Sequence, residues 1–273
     1  TDRMTVSNNY GPHRLPDYCM TGAGDKSVFL LHGAFGAKEY WLQQTAALVA
    51  AGYRVVAWDA PGYGLSPMPE NFSIESAARA CVSLMKALGT KTNILLGHSM
   101  GGMIAQRTFD YYPEGIQGLI LSSTSAAFGG RGGEWQKKFV ADRVAPLDAG
   151  KTIPEYAPVM LKKMFGPGST GGATDLVVQV ISRMREETFR AAIEAVTWYE
   201  GRDVLSKINI PVLCVAGEHD LSAAPPKVME KMAGKIAASE FVCMPGVGHF
   251  GWAEAPDVYN EHMLQFLIKN FSD

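Results

Sequence analysis

Short apolar, β-branched runs alternate with longer stretches of helical character, and this alternation restricts the chain more than any other feature. The runs fall at residues 28–31, 54–58, 93–96, 118–121, 212–216 and 241–244. Their near-continuous apolarity suits strands buried on both faces, as in a parallel sheet covered by helices on either side. The stretches between them carry helix punctuation. Ser73 can cap a helix that runs to about Leu88, where Gly89 ends it. A second, from about Met100 to Tyr112, is stopped by Pro113. Pro225 and Pro226 suit the first turn of a helix ending near Gly234, and Pro256 suits the start of the last one. With 273 residues, 47% apolar and 19% charged, the chain can bury a sizeable core and does not have the composition of a disordered protein.

The alternation breaks once. Residues 126–206 offer helical pieces at 134–144, 155–165 and 175–199, separated by Gly- and Pro-rich turns such as 166–172. This reads as a helical insertion between two strands, with residues 1–125 and 207–273 forming the core around it.

Gly97-His98-Ser99-Met100-Gly101 has the form G-x-S-x-G, a weak signal alone and a strong one in its setting. It follows an apolar run and opens a helix. A sharp strand-to-helix turn needs small residues beside its apex, because the apex backbone is strained. Such a turn lifts the Ser99 hydroxyl above the C-terminal edge of the sheet and sets the Met100 N–H at a helix N-terminus, where an oxyanion would form.

A serine hydroxyl needs a base, and the base an orienting acid. Asp220 lies directly after the run 212–216, and His249 directly after 241–244, both at the sheet edge where open α/β folds bind ligands. Glu218 and His219 are the neighbouring rivals; Glu218 is nearer the strand end and can point back into the sheet, and His219 would act beside its own acid. In His32-Gly33-Ala34-Phe35-Gly36, after the first strong run, a backbone N–H supplies a second oxyanion donor, assigned to Ala34. His32 reads as a hydrogen-bonded structural histidine. Asp59 to Gly64 reads as a tight turn.

Together His32-Gly33, Asp59 to Gly64 with Ser66, Gly97 to Gly102, Asp220 and His249 resemble the α/β-hydrolase superfamily, in order and spacing from Val28 to the C-terminus. The small insertion and the stretch from Pro211 to His249 look most like 3-oxoadipate enol-lactonases, with meta-cleavage carbon–carbon hydrolases as neighbours. The resemblance implies an α/β-hydrolase fold: a mostly parallel, doubly wound sheet with 126–206 as a helical cap over the site. It also implies a cofactor-free serine hydrolase cleaving an ester or lactone of a small molecule through Ser99, His249 and Asp220. Alternatives on the same residues are a carbon–carbon bond hydrolase acting on a vinylogous diketone, and non-hydrolytic members (an oxygenase, a lyase or a small-molecule receptor). A serine at the elbow disfavours dehalogenase and epoxide hydrolase chemistry, where an aspartate stands there.

For the pocket, Phe35 and Phe250 adjoin catalytic positions, and Trp135 and Trp198 are aromatic candidates from the cap. Arg131, Arg183 and Arg185 can meet a substrate carboxylate, with a solvated helix face as the alternative for each. The 25 basic and 27 acidic residues leave a formal charge of −2, without a nucleic-acid or membrane-surface signature. No apolar run approaches the length of a membrane span, and the first 25 residues do not read as a secretory signal, so the expectation is a cytoplasmic protein. Cys19, Cys81, Cys214 and Cys243 are scattered and read as reduced, with Cys214 and Cys243 packed as small hydrophobes. No metal or cofactor is expected, and the oligomeric state, monomer or homodimer, stays open.

Overall fold

The computed structural model describes residues 4–6, 9–10, 13–129, 132–169, 173–221 and 223–272. The N-terminal part contributes β1 (Met4–Val6), β2 (Asn9–Tyr10), β3 (His13–Arg14) and β4 (Tyr18–Thr21). There follow β5 (Lys26–Leu31), α1 (Leu42–Ala50), β6 (Arg54–Trp58), α2 (Ile74–Leu88), β7 (Thr92–His98), α3 (Met100–Tyr111) and β8 (Gly118–Ser122). After them come α4 (Glu134–Asp148), α5 (Ile153–Lys162), α6 (Thr174–Ser182) and α7 (Glu186–Trp198). The chain closes with β9 (Val212–Gly217), α8 (Pro226–Ala233), β10 (Ser239–Met244), α9 (Gly251–Glu254) and α10 (Pro256–Phe271).

Eight of the described strands form one sheet in the order β1-β4-β6-β5-β7-β8-β9-β10. From β6 to β10 every pairing is parallel, and β1 and β4 add an antiparallel edge. This is the α/β-hydrolase fold, and the six apolar runs of the sequence are its six parallel strands. Period-two alternation splits their side chains between two cores. Phe29, Leu31, Val56, Trp58, Leu95 and Leu121 face α2, α3 and α8, whereas Val28, Leu30, Val55, Ile94, Leu96 and Ile120 face α1 and α10. Strands β5 and β7 are neighbours, but α1 carries the chain from β5 to β6 on one side and α3 carries it from β7 to β8 on the other. The crevice beyond the C-terminal ends of β5 and β7 is the switch point at which such sheets bind ligands.

The punctuation of α2 is found where the sequence sets it. Ser73 accepts the Ser76 N–H while Ser76 reciprocates, and Gly89 closes the helix at φ 64°. The piece expected at 175–199 is instead two helices, α6 and α7. Arg185 is extended (φ −72°, ψ 138°), its guanidinium donates to Gly62 O at 2.6 Å, and Thr188 Oγ1 donates to the same oxygen at 2.8 Å. A carbonyl after β6 thus fixes the break. The insertion is closed at its neck, where Gly201 N–H donates to Ala126 O and Ala127 bridges Glu200.

The four cysteines carry free thiols. Cys81 and Cys214 are buried, which pushes both thiols up to about 12, but Cys243 is exposed because β10 forms the sheet edge. No helix among the described residues is long and apolar enough to cross a membrane.

Candidate active site

Ser99 sits at the turn from β7 into α3 with φ 54° and ψ −117°, a conformation that costs an L-residue of order 1–3 kcal/mol. The surroundings hold it there. Its N–H donates to Ser122 O at 2.8 Å, and its carbonyl accepts from Gly102 N–H at 2.9 Å and Thr124 Oγ1 at 2.6 Å. Side chains are excluded from the turn. A Cβ on Gly97 would lie 2.1 Å from Gly101 O, and one on Gly101 would lie 2.0 Å from Leu31 O. The small residues flanking Ser99 therefore answer to strand–helix contact as well as to the turn.

Asp220 follows β9 and His249 follows β10. His249 Nδ1 and Asp220 Oδ2 are 2.7 Å apart, both side chains almost wholly buried. Burial by itself raises the Asp220 carboxyl. The charge and hydrogen bond of His249, with N–H donors from Ala224 and Ala223, outweigh that and hold it below the ordinary carboxylate range. Facing an ionised carboxylate, Nδ1 carries the proton, which leaves the Nε2 lone pair free to accept one. The rivals are elsewhere. Glu218 and His219 are exposed and pair with each other at 3.0 Å, so Glu218 points outward and not into the sheet.

His32 donates from Nδ1 to Gly33 O (2.8 Å) and accepts the Ala60 N–H at Nε2 (3.0 Å), so both ring nitrogens are engaged. His98 is fully buried against Ser122 Oγ and 4.9 Å from the His249 ring. The loop after β5 runs close to the serine, for a Cβ on Gly33 would lie 3.0 Å from Ser99 Cβ. Ala34 and Met100 line the same pocket as Ser99 and His249, and Met100 N–H, first of α3, lacks an intrahelical acceptor.

That pocket encloses about 620 Å³ of space, part of it open to solvent. Phe35 lines it, stacked on Phe189 with ring centres 5.6 Å apart. Three other expected lining residues do not. Trp135 is 47% exposed and stacks outside Phe139; on α4 it lies one turn before Phe139 and two before Arg143, which do reach the pocket. Trp198 is 46% exposed, about 200° around α7 from the lining residue Val196, and donates to Glu194. Phe250 is buried behind the pocket, its ring packed on His98, His249 and Phe165. Of the expected arginines, Arg183 pairs with Glu39, Arg185 holds Gly62 O, and Arg131 lies outside the described residues.

One carboxylate escaped the sequence reading. Glu254 is fully buried and accepts three backbone N–H groups: Gly166 at 2.6 Å, Gly248 at 3.0 Å and Phe250 at 2.9 Å. Two of these flank His249, and the third belongs to the insertion. His249 N–H itself donates to Met164 O at 2.9 Å, and Gly168 N–H donates to Gly246 O at 2.6 Å. The histidine loop and the 164–168 segment thus meet backbone to backbone. Position 248 has no room for a Cβ, which would lie 2.1 Å from Met164 O.

A profile of the Alpha/beta hydrolase family matches residues 28–262, which take in the parallel strands from Val28 of β5 onward and the loops that carry Ala34, Ser99, Asp220 and His249. The chain belongs to this family. This hydrolase-family chain is 29% identical to a proline iminopeptidase of Lactobacillus helveticus, over 88% of this chain and 89% of that protein. It is 23% identical to 3-oxoadipate enol-lactonase 2 of Acinetobacter baylyi, with 94% of each covered. Among solved structures, a thermophilic esterase from Thermogutta terrifontis superposes with a TM-score of 0.83 at 26% identity over 100% of both chains.

Proposed function

We propose that this chain is a serine hydrolase that cleaves an ester or lactone bond of a small organic molecule. The observation that carries the reading is the buried 2.7 Å contact of His249 Nδ1 with Asp220, in a pocket that the strained, partly accessible Ser99 also lines. His249 Nε2 takes the proton of Ser99 Oγ as that oxygen attacks the carbonyl carbon. The N–H groups of Ala34 and Met100 hold the resulting oxyanion. The imidazolium, stabilised by Asp220, then protonates the leaving alkoxide, and an acyl-enzyme forms. Water, losing its proton to His249, attacks the acyl carbon; Ser99 is released protonated and the acid departs. The helices of 126–206 act as a cap, keeping much of the pocket wall apolar. Relatives named as an esterase, an enol-lactonase and a peptidase support acyl transfer as the shared chemistry.

Hydrolysis of p-nitrophenyl acetate, with and without a serine-directed phosphonate, tests the reading. A burst of nitrophenol with the phosphonate mapped to Ser99 is expected, and Ser99→Ala should lower kcat at least roughly 10³-fold. A folded protein with neither burst nor label would overturn it.

A further inference from the structure

We infer that Arg143 is the counter-ion for an anionic group on the substrate, so that the pocket takes esters or lactones whose non-reacting end carries a carboxylate. The inference rests on the serine-hydrolase reading for the reacting end and on separate observations for the other. Among the described residues that line the pocket, Arg143 is the one Lys, Arg, Asp or Glu. It projects from α4 one turn beyond Phe139, in a wall otherwise made by Phe128, Met160, Met164, Ile193 and Val196.

No carboxylate pairs with Arg143 among the described residues. The other arginines of the insertion's helices and their junctions have partners: Arg183 with Glu39, Arg190 with Asp148, and Arg185 with a carbonyl. Arg143 is only half-buried, with its guanidinium carbon 5.0 Å from the centre of the Phe139 ring. A ring face holds and orients the cation without occupying its N–H donors. A half-buried cation in an apolar wall has lost part of its hydration, and a planar carboxylate matches its paired donors better than water does. Because α4 belongs to the insertion while Ser99 and His249 belong to the sheet edge, the two ends of the substrate are read by different parts of the chain.

The test compares monomethyl glutarate with dimethyl glutarate, the same scaffold with its charge capped, by pH-stat titration. Wild type is expected to favour the monoester. In Arg143→Gln the ratio of kcat/KM, monoester over diester, should fall about tenfold, chiefly through the KM of the monoester, and Arg143→Lys should recover part of it. A general defect in folding or chemistry lowers both esters and leaves the ratio alone. An unchanged ratio in Arg143→Gln, or a wild-type preference for the diester, overturns the inference. If wild type cleaves neither ester, the hydrolase reading is decided by the nitrophenyl acetate burst and the phosphonate label, and calorimetry with glutarate decides the anion site. Binding that wild type shows and Arg143→Gln lacks upholds it; equal binding, or none to either, overturns it.

Discussion

Ser99 carries its strain in the backbone, and its hydroxyl plays no part in holding it there. Ser99→Ala keeps the Cβ and the strain, whereas Ser99→Gly removes both. Relief of a positive φ outweighs the extra freedom that glycine adds to the unfolded chain, so the Gly variant should exceed the Ala variant by about 1 kcal/mol in urea unfolding. Equal stabilities would mean that the turn is unstrained. His32 and His98 carry a pH signature. Burial holds both on the neutral side, below the ordinary histidine value, and His98 lies well below it, where positive charge on the neighbouring His249 or His32 ring would also oppose its protonation. A base with a lowered folded pKa binds fewer protons folded than unfolded. Its stability contribution is therefore complete above about pH 6.5 and drains as pH falls toward the folded value, at about 1.4 kcal/mol per pH unit per site. His98→Gln should flatten the pH dependence of unfolding between pH 6.5 and 5.5 by one site's share. An identical slope in the variant would show that His98 does not titrate differently on folding.

At the scale of elements, the His249 loop and the 164–168 segment form one unit held by Glu254. Neither Glu254 oxygen is spare: Oε1 serves Gly166 and Gly248, and Oε2 serves Gly248 and Phe250. Glu254→Gln keeps the shape but turns an NH₂ group toward at least one of these N–H donors. A donor left unpaired in a buried site costs about 1–3 kcal/mol. Amide hydrogen exchange at Gly166, Gly248 and His249 should accelerate together in this variant. Acceleration at Gly248 alone would mean that the insertion is held independently of the histidine loop. The elbow elements are less separable, because Ser99 is fixed by β8 and by Thr124 as well as by its own helix.

Across the whole molecule, an ion cluster ties segments that the sheet leaves to one side. Lys38, in the loop region after β5, contacts Asp17 through its ammonium, lies 3.5 Å from Asp59 Oδ2, and donates its backbone N–H to Asp59 Oδ1 at 2.9 Å. Both aspartates are buried, and Ser66 Oγ completes the junction by accepting from Asp17 N–H and donating to Asp59 O. Lys38→Met leaves two buried carboxylates without their cation and should destabilise by about 3–5 kcal/mol. The measurement is a lower urea midpoint at unchanged slope, since the native surface is the same. A loss under 1 kcal/mol would mean that water already screens the cluster.

The sequence by itself determined whatever depends on local pattern. Continuous apolarity marked the parallel strands because both faces of each are buried, Ser73 and Gly89 bounded α2 because capping is a contact of near neighbours, and the glycines around Ser99 marked the elbow. Asp220 and His249 were legible because each directly follows a strand. Tertiary structure alone decided features whose cause lies elsewhere in the chain. Gly62 O splits α6 from α7, a break that no residue within 175–199 announces. Which face of α4 and α7 turns inward depends on their neighbours, so Arg143 and Phe139 reach the pocket while Trp135 and Trp198 do not. Phe250 backs the site because His98 and Phe165 close around it, and Cys243 is exposed because β10 is the edge strand of the described sheet. Glu254 reads in sequence as one more helix acid; only the packing of the insertion on the histidine loop brings three N–H groups to its carboxylate. Short-range patterns fix the elements, but the direction a side chain takes within the fold is set by contacts between residues far apart in the chain.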